Sequence, residues 1–224
     1  MTAVLFDMDG VLVDVSRSYR EAVHQTIFHF SGRDVSDEEI QSNKNKGGYN
    51  NDWDLSLKLL QDRGFKLSKG EVVDAFQKIY LGRDFNGLIR NERWLLKKDL
   101  LMAICQRFPT GIVTGRPRKE TDYVLNRFSV DSFFPVVVTM DDVPPGKDKP
   151  DPYGILLALR ALEEQHGLYF GDTVDDMKAA RKASLTPVGI AREGKSRREQ
   201  TRILRESGAS AVLSDINDLM EVLP

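Results

Sequence analysis

The chain has 224 residues, with 32 Lys and Arg against 34 Asp and Glu, so its formal net charge is −2. That near balance excludes a nucleic-acid or polyanion binder working by bulk attraction, which needs a clear basic excess, and 41% hydrophobic with 29% charged residues excludes a disordered chain. The lone Cys105 excludes an internal disulfide, and the richest apolar run, Phe133 to Met140, is far short of the roughly 20 residues a membrane span needs and contains Pro135. Asp7 and Asp9 also interrupt any secretory apolar stretch at the N-terminus, so the expectation is a soluble, cytoplasmic protein with no membrane or nucleic-acid partner.

In chain order, Val4-Leu5-Phe6 comes first, a short unalternating apolar run of the kind a strand buried on both faces requires. From about Val15 to Gly87 only helical patterns occur: Tyr19 to Phe30, Leu55 to Gln61 and Val72 to Leu81, with Gly, Asn and Lys clustered in a loop at Ser42 to Asn51. This stretch is read as a helical insert, residues 15–87, with the remainder, 1–14 and 88–224, forming a second domain. The core resumes near Asn91 to Phe108. Further strand-like runs follow at Gly111-Ile112-Val113, Pro135 to Val138, Leu168-Tyr169-Phe170, Thr186 to Ile190 and Ala211-Val212-Leu213. Between them, Glu120 to Phe128 groups Val124, Leu125 and Phe128 on one face, and Tyr153 to Glu164 groups Ile155, Leu156, Leu159 and Leu162. Strand alternating with helix predicts an α/β fold, a doubly wound parallel sheet with an all-helical insertion, whose ligands bind beyond the carboxyl ends of the strands. The charge-dense stretch Glu193 to Glu206 mixes both signs and reads as a solvated helix rather than a phosphate-binding patch.

Four places carry chemistry. In Leu5-Phe6-Asp7-Met8-Asp9-Gly10-Val11 two carboxylates stand where an apolar strand ends and a glycine turn begins. Two such groups at about 4 Å repel by roughly 4 kcal/mol at an effective dielectric of 20, which a hard divalent cation would offset; the bland reading is a capping Asp and a turn Asp. In Phe170-Gly171-Asp172-Thr173-Val174-Asp175-Asp176 another strand runs into acids ahead of a helix that includes Met177 to Ala183. Asp172 falls at the strand end, whereas Asp175 or Asp176 fits a helix cap, a role favoured for Asp175. If these strands are neighbours, Asp7, Asp9, Asp172 and Asp176 gather at one edge as an oxygen-rich Mg²⁺ site; three scattered His and one Cys do not suit zinc. Thr114-Gly115-Arg116, directly after the apolar run Gly111-Ile112-Val113, fits a phosphate oxygen or an ordinary Ser/Thr turn. Lys149, in Gly146-Lys147-Asp148-Lys149-Pro150-Asp151-Pro152, is either a surface lysine or a cation for a phosphoryl group.

In this order the four segments resemble the haloacid dehalogenase-like (HAD) hydrolase superfamily over essentially the whole chain, in the subclass with a helical cap inserted after the first motif. Asp7 to Val11 matches the first motif, Thr114 the second, Lys149 with Pro150 the third, and Gly171-Asp172 through Asp176 the fourth. The resemblance implies a Rossmann-like core with a cap and a Mg²⁺-dependent phosphatase for a small phosphorylated metabolite. In it Asp7 is the nucleophile that forms an aspartyl-phosphate, and Asp9 is the acid and then the base. It further implies that Asp7, the Asp9 backbone carbonyl and Asp172 hold Mg²⁺ with Asp176 in support, and that Thr114 and Lys149 bind the phosphoryl oxygens. An acid at position 9 favours phosphate-ester chemistry over the dehalogenase and phosphonatase branches. A phosphomutase of the β-phosphoglucomutase kind shares this chemistry, and a catalytically idle ligand-binding module would share the fold. Within the cap, Lys44 to Asn51 is the candidate for reading the leaving group, with Lys46 and Asn51 as contacts; the alternative is a plain helix–helix connection. Gly115 and Arg116, with Arg118, are candidates for further substrate anions, against solvated positions at a helix start. Phosphoglycolate-like acids, sugar phosphates and amino-alcohol phosphates all remain open as substrates, and the oligomeric state is not legible.

Overall fold

The computed structural model describes residues 2–49, 51–191 and 197–224. Strands β1 (Ala3–Phe6) and β2 (Val13–Asp14) lead into helices α1 (Tyr19–Ser31), α2 (Asp37–Asn45), α3 (Asp52–Asp62) and α4 (Lys69–Tyr80). After β3 (Arg93–Trp94) the chain alternates through α5 (Lys98–Arg107), β4 (Thr110–Val113), α6 (Arg118–Phe128), β5 (Val136–Val138), α7 (Tyr153–Ala161) and β6 (Gly167–Gly171). It ends with α8 (Val174–Lys182), β7 (Thr186–Ile190), α9 (Arg197–Glu206) and β8 (Ala211–Leu213). Two compact units result, one of Met1–Val13 with Trp94–Pro224 and the other of Asp14–Arg93.

The first unit is the doubly wound α/β sheet. Its six strands run in the order β5-β4-β1-β6-β7-β8, all parallel. All four residues of β1 are completely buried, which explains why the strands read as unbroken apolar runs instead of alternating ones. Alternate side chains feed the two faces. Leu5, Val113 and Tyr169 join Ile155, Ala158 and Leu159 of α7 and Ala179 and Ala180 of α8 in one core layer. Phe6 and Phe170, paired in register, stack at 5.3 Å on the other face, and Phe134 meets Phe6 edge-on at 6.2 Å. Helix α9 is the solvated, mixed-charge segment expected: Arg202 bridges Glu206 at 2.8 Å and Glu199 at 3.5 Å, and Leu204 is buried. The expected start of that segment, 193–196, lies outside the described residues.

The second unit is helical. Helices α1, α3 and α4 pack on one another, and Tyr19, Phe76 and Tyr80 form its aromatic centre, with Tyr19 stacked on Tyr80 at 4.2 Å. Helix α2 is absent from the expectation, which makes Ser42 to Asn51 a loop throughout. The segment is helical to Asn45 because Ser36 caps it, accepting from the Glu39 N–H at 3.1 Å, and because three acids occupy its first turn. Among its nine residues the only apolar side chain is Ile40, so no hydrophobic period announces it. The chain returns to the α/β unit at Trp94, later than residue 88, because the turn Leu88–Asn91 and the buried Glu92 belong with the helices. Glu92 Oε1 accepts from the Ser18 hydroxyl at 2.8 Å and from the Tyr80 hydroxyl at 2.9 Å. Among the described residues no helix is long and apolar enough to cross a membrane.

Candidate active site

Strand β1 lies where the sheet order reverses, with β4 and β5 on one side and β6, β7 and β8 on the other. Ligand crevices in such sheets open at that point, beyond the carboxyl ends of the strands. The register pairs Phe6 with Ile112 and with Phe170, so Asp7, Thr114 and Asp172 leave three adjacent strands at one edge. Asp7 is anchored there by its own N–H, which donates to the Phe170 carbonyl at 2.7 Å.

Asp7, Asp172 and Asp176 each bring a carboxylate oxygen within 4.8 Å of the others. Lys149, whose side chain is only 7% exposed, donates to Asp7 Oδ1 at 2.8 Å and to Asp176 Oδ1 at 2.7 Å. The surface alternative for Lys149 is thereby set aside. Burial works against its charge, but Asp176 and Asp7 outweigh that and raise it well above the ordinary lysine range. Burial dominates at Asp7, with Asp176 and Asp9 acting in the same direction and Lys149 opposing, and the carboxyl is pushed up to about 7. Three carboxylates converge here on one buried ammonium, and the carboxylate donors are all hard oxygens. That set fits a divalent cation of the magnesium or calcium type.

A fifth member, Tyr169 of β6, is not evident from the sequence. It is completely buried; its hydroxyl donates to the Val113 carbonyl at 2.9 Å and accepts from Lys149 Nζ at 3.1 Å. The only signal in the sequence is a polar atom inside an apolar strand just ahead of Gly-Asp, and nothing there points to Lys149.

Asp9 and Arg116 meet. Arg116 Nε donates to Asp9 Oδ1 at 2.6 Å and Nη2 lies 2.5 Å from the same oxygen. Arg116 is 1% exposed, so it is neither a solvated helix-start residue nor, in this arrangement, open to a ligand anion; it is buried against an acid 107 positions away. Arg118 is likewise tied internally, to the Val137 carbonyl at 2.7 Å and Asp142 at 2.6 Å. The Thr114 hydroxyl accepts from the Arg116 N–H at 3.2 Å, so the Ser/Thr turn is present, and Gly115 beside it is exposed. The hydroxyl proton is not used in that bond and is free to donate to an oxyanion.

The fourth motif corrects the expected cap. Helix α8 is capped by Thr173, whose Oγ1 accepts from the Asp176 N–H at 3.2 Å while Asp176 Oδ2 accepts from the Thr173 N–H at 3.0 Å. Asp175 is an interior first-turn residue, 3% exposed, and does not cap. This reciprocal box holds Asp176 by one oxygen and presents the other to Lys149. Two glycines make room for the acids. A Cβ on Gly10, whose φ is +75°, would lie 2.0 Å from Asp172 Oδ2, and one on Gly171 would lie 2.3 Å from Asp176 Cβ.

In the helical unit, Lys46 follows α2 with an exposed side chain that has no partner among the described residues. Asn51 is instead the cap of α3, its Oδ1 accepting from the Trp53 N–H at 2.8 Å and the Asp54 N–H at 3.4 Å. Lys44 pairs with Asp52 at 2.7 Å. Asn50, part of the expected cap loop, lies outside the described residues.

Known proteins share this architecture. A family model for haloacid dehalogenase-like hydrolases matches residues 1–184. A protein of Phytophthora nicotianae named imidazoleglycerol-phosphate dehydratase is 39% identical over 99% of this chain, which spans only 52% of that longer protein. Pyrophosphatase PpaX of Anoxybacillus flavithermus is 25% identical over 100% of this chain and 97% of its own length. Among solved structures, a haloacid dehalogenase-like protein of unknown function from Agrobacterium tumefaciens superposes with a TM-score of 0.79 at 21% identity, covering 99% of this chain and 97% of the other. With the family model spanning most of the chain, the chain belongs to the haloacid dehalogenase-like hydrolases.

Proposed function

We propose that the chain is a Mg²⁺-dependent phosphatase that hydrolyses a small phosphorylated metabolite through an aspartyl-phosphate on Asp7. The observation that supports this reading is the setting of Asp7: a buried strand-end carboxylate, 2.8 Å from Lys149, in a cluster of three carboxylates with hard oxygen donors. Asp7, Asp172 and the Asp9 backbone carbonyl, with Asp176 in support, are the groups that hold the cation. When bound, it supplies positive charge to the phosphoryl oxygens and keeps Asp7 ionised.

In the first step an Asp7 carboxylate oxygen bonds to phosphorus as the bond from phosphorus to the ester oxygen breaks. The electron pair goes to the ester oxygen, which takes a proton from Asp9. In the second, the ionised Asp9 takes a proton from water while the water oxygen bonds to phosphorus. The phosphorus–Asp7 bond then breaks, its electron pair returns to the carboxylate, and phosphate leaves. The Thr114 hydroxyl, the Gly115 N–H and Lys149 bind the transferring oxygens, and Lys149 also restrains Asp7.

Phosphate release across a panel of metabolite monoesters, with Mg²⁺ and with chelator, tests the proposal. The panel includes phosphoglycolate-like, sugar and imidazole-bearing esters, the last because of the name carried by the 39%-identical relative. Release that requires Mg²⁺ and falls at least about 10³-fold in Asp7→Asn is expected; release unaffected by that change overturns the reading. Phosphorus NMR with an anomeric sugar phosphate is expected to show free phosphate, and an isomerised ester in its place would identify a mutase. Repeating the panel with Lys46→Ala shows whether the loop after α2 selects the leaving group.

A further inference from the structure

We propose that Arg116 is a positioning residue for Asp9: it pins one carboxylate oxygen so that the other is presented for proton transfer to the leaving group. The inference rests on the phosphatase reading above. Both contacts, Nε at 2.6 Å and Nη2 at 2.5 Å, fall on Asp9 Oδ1, and Oδ2 takes no protein donor among the described residues. A carboxylate held by two donors on one oxygen loses rotation about its last side-chain bond, which is the freedom that would blur a proton-transfer geometry.

The holder is itself held. Its N–H donates to Thr114 Oγ1 at 3.2 Å and its carbonyl accepts from the Met140 N–H at 3.0 Å, so the backbone is fixed on both sides of the residue. Its side chain is 1% exposed, whereas that of Asp9 is 32% exposed. The guanidinium therefore forms the fixed side of the pair, and the carboxylate keeps an open flank. A buried guanidinium is costly unless its donors are met, and two of them are met on Asp9 Oδ1. Substrate contact is the competing assignment, and the burial of Arg116 argues against it.

The test exploits the chemistry of the leaving group. A dinitrophenolate departs without a proton, whereas an alkoxide does not, so only the alkyl ester depends on a correctly aimed acid. The parameter is kcat/KM, which ends at the first irreversible step and so reports the departure of the leaving group rather than the later attack of water. Arg116→Met is expected to lose about 10²-fold or more on an alkyl phosphate and about threefold or less on dinitrophenyl phosphate. In an Asp9→Asn background the same change is expected to add no further loss on either ester.

An equal loss on both esters, or a rise in KM alone, would overturn the inference in favour of a substrate contact. A loss that follows the folded fraction measured by circular dichroism would overturn it in favour of a purely structural role. Should Arg116→Met not fold, Arg116→Lys decides on the same pair of esters: the charge stays but the two-donor grip is lost, so the selective loss should persist. Absence of Mg²⁺-dependent turnover by the unmodified protein on both esters would defeat the phosphatase reading instead, a different result from any of these.

Discussion

At the scale of single residues, the site is a problem of unlike charges packed too closely to solvate. Lys149 offsets part of the repulsion between Asp7 and Asp176, and Tyr169 keeps the ammonium in place by accepting from it while donating to the Val113 carbonyl. Removing that hydroxyl leaves the Val113 carbonyl only the longer 3.4 Å contact from Lys149 and takes one close acceptor from the ammonium, which costs about 1 kcal/mol. Tyr169→Phe is therefore expected to lower the thermal midpoint by that equivalent and to lower turnover through a less firmly held Lys149. A midpoint and kcat both equal to those of the unmodified protein would show that the hydroxyl has no such role. Arg116 offers the same lesson about legibility. It stands two positions from Thr114, yet its partner Asp9 is 107 positions away, and no sequence pattern links the two.

At the scale of elements, turns and caps decide where the acids go. Gly10 combines a positive φ of 75° with a neighbour that any Cβ would strike at 2.0 Å, and that neighbour is Asp172 Oδ2. Gly10→Ala strains the turn and displaces the carboxylate, so the Mg²⁺ concentration giving half-maximal activity is expected to rise at least about tenfold, while other core contacts survive. A Mg²⁺ requirement unchanged in Gly10→Ala would remove Asp172 from the cation site. The central strands β1, β4 and β6 are legible from the sequence because they are buried almost throughout and so carry short unalternating apolar runs. Helix α2 is not, because it is held by a serine cap and an acidic first turn around the single apolar Ile40. The capping of α8 is illegible for a related reason. Thr173, Asp175 and Asp176 are all acceptable caps by type, and only the backbone geometry selects Thr173.

At the scale of the whole molecule, the net charge of −2 says little, because the functional charges are concentrated at one sheet edge. Their consequence is a pH-dependent stability. Asp7 titrates near 7 in the folded chain against an ordinary value of 3.8, chiefly because it is buried. Between about pH 4 and about pH 7 the folded state therefore holds a proton that the unfolded chain does not. The contribution of Asp7 to stability is full below that window, declines as pH rises through it, and is flat above. A divalent cation must displace this proton at about pH 5 but not at about pH 8, so the rise in thermal midpoint on adding Mg²⁺ is expected to be larger at the higher pH. Equal shifts at the two pH values, measured by calorimetry against chelator, would contradict this, and Asp7→Asn should abolish the difference.

By itself, the sequence determined what depends on local pattern: the parallel α/β sheet, the helical insertion and the strand-end acids Asp7, Asp9 and Asp172. Burial on two faces and the demands of a turn act within a few residues and so leave a visible trace. The tertiary structure alone decided which groups meet: Arg116 with Asp9, Tyr169 with Lys149, and Lys149 with both Asp7 and Asp176. Those pairings follow from the register that sets β1 between β4 and β6, and electrostatic energy depends on distance in space, to which separation along the chain is no guide.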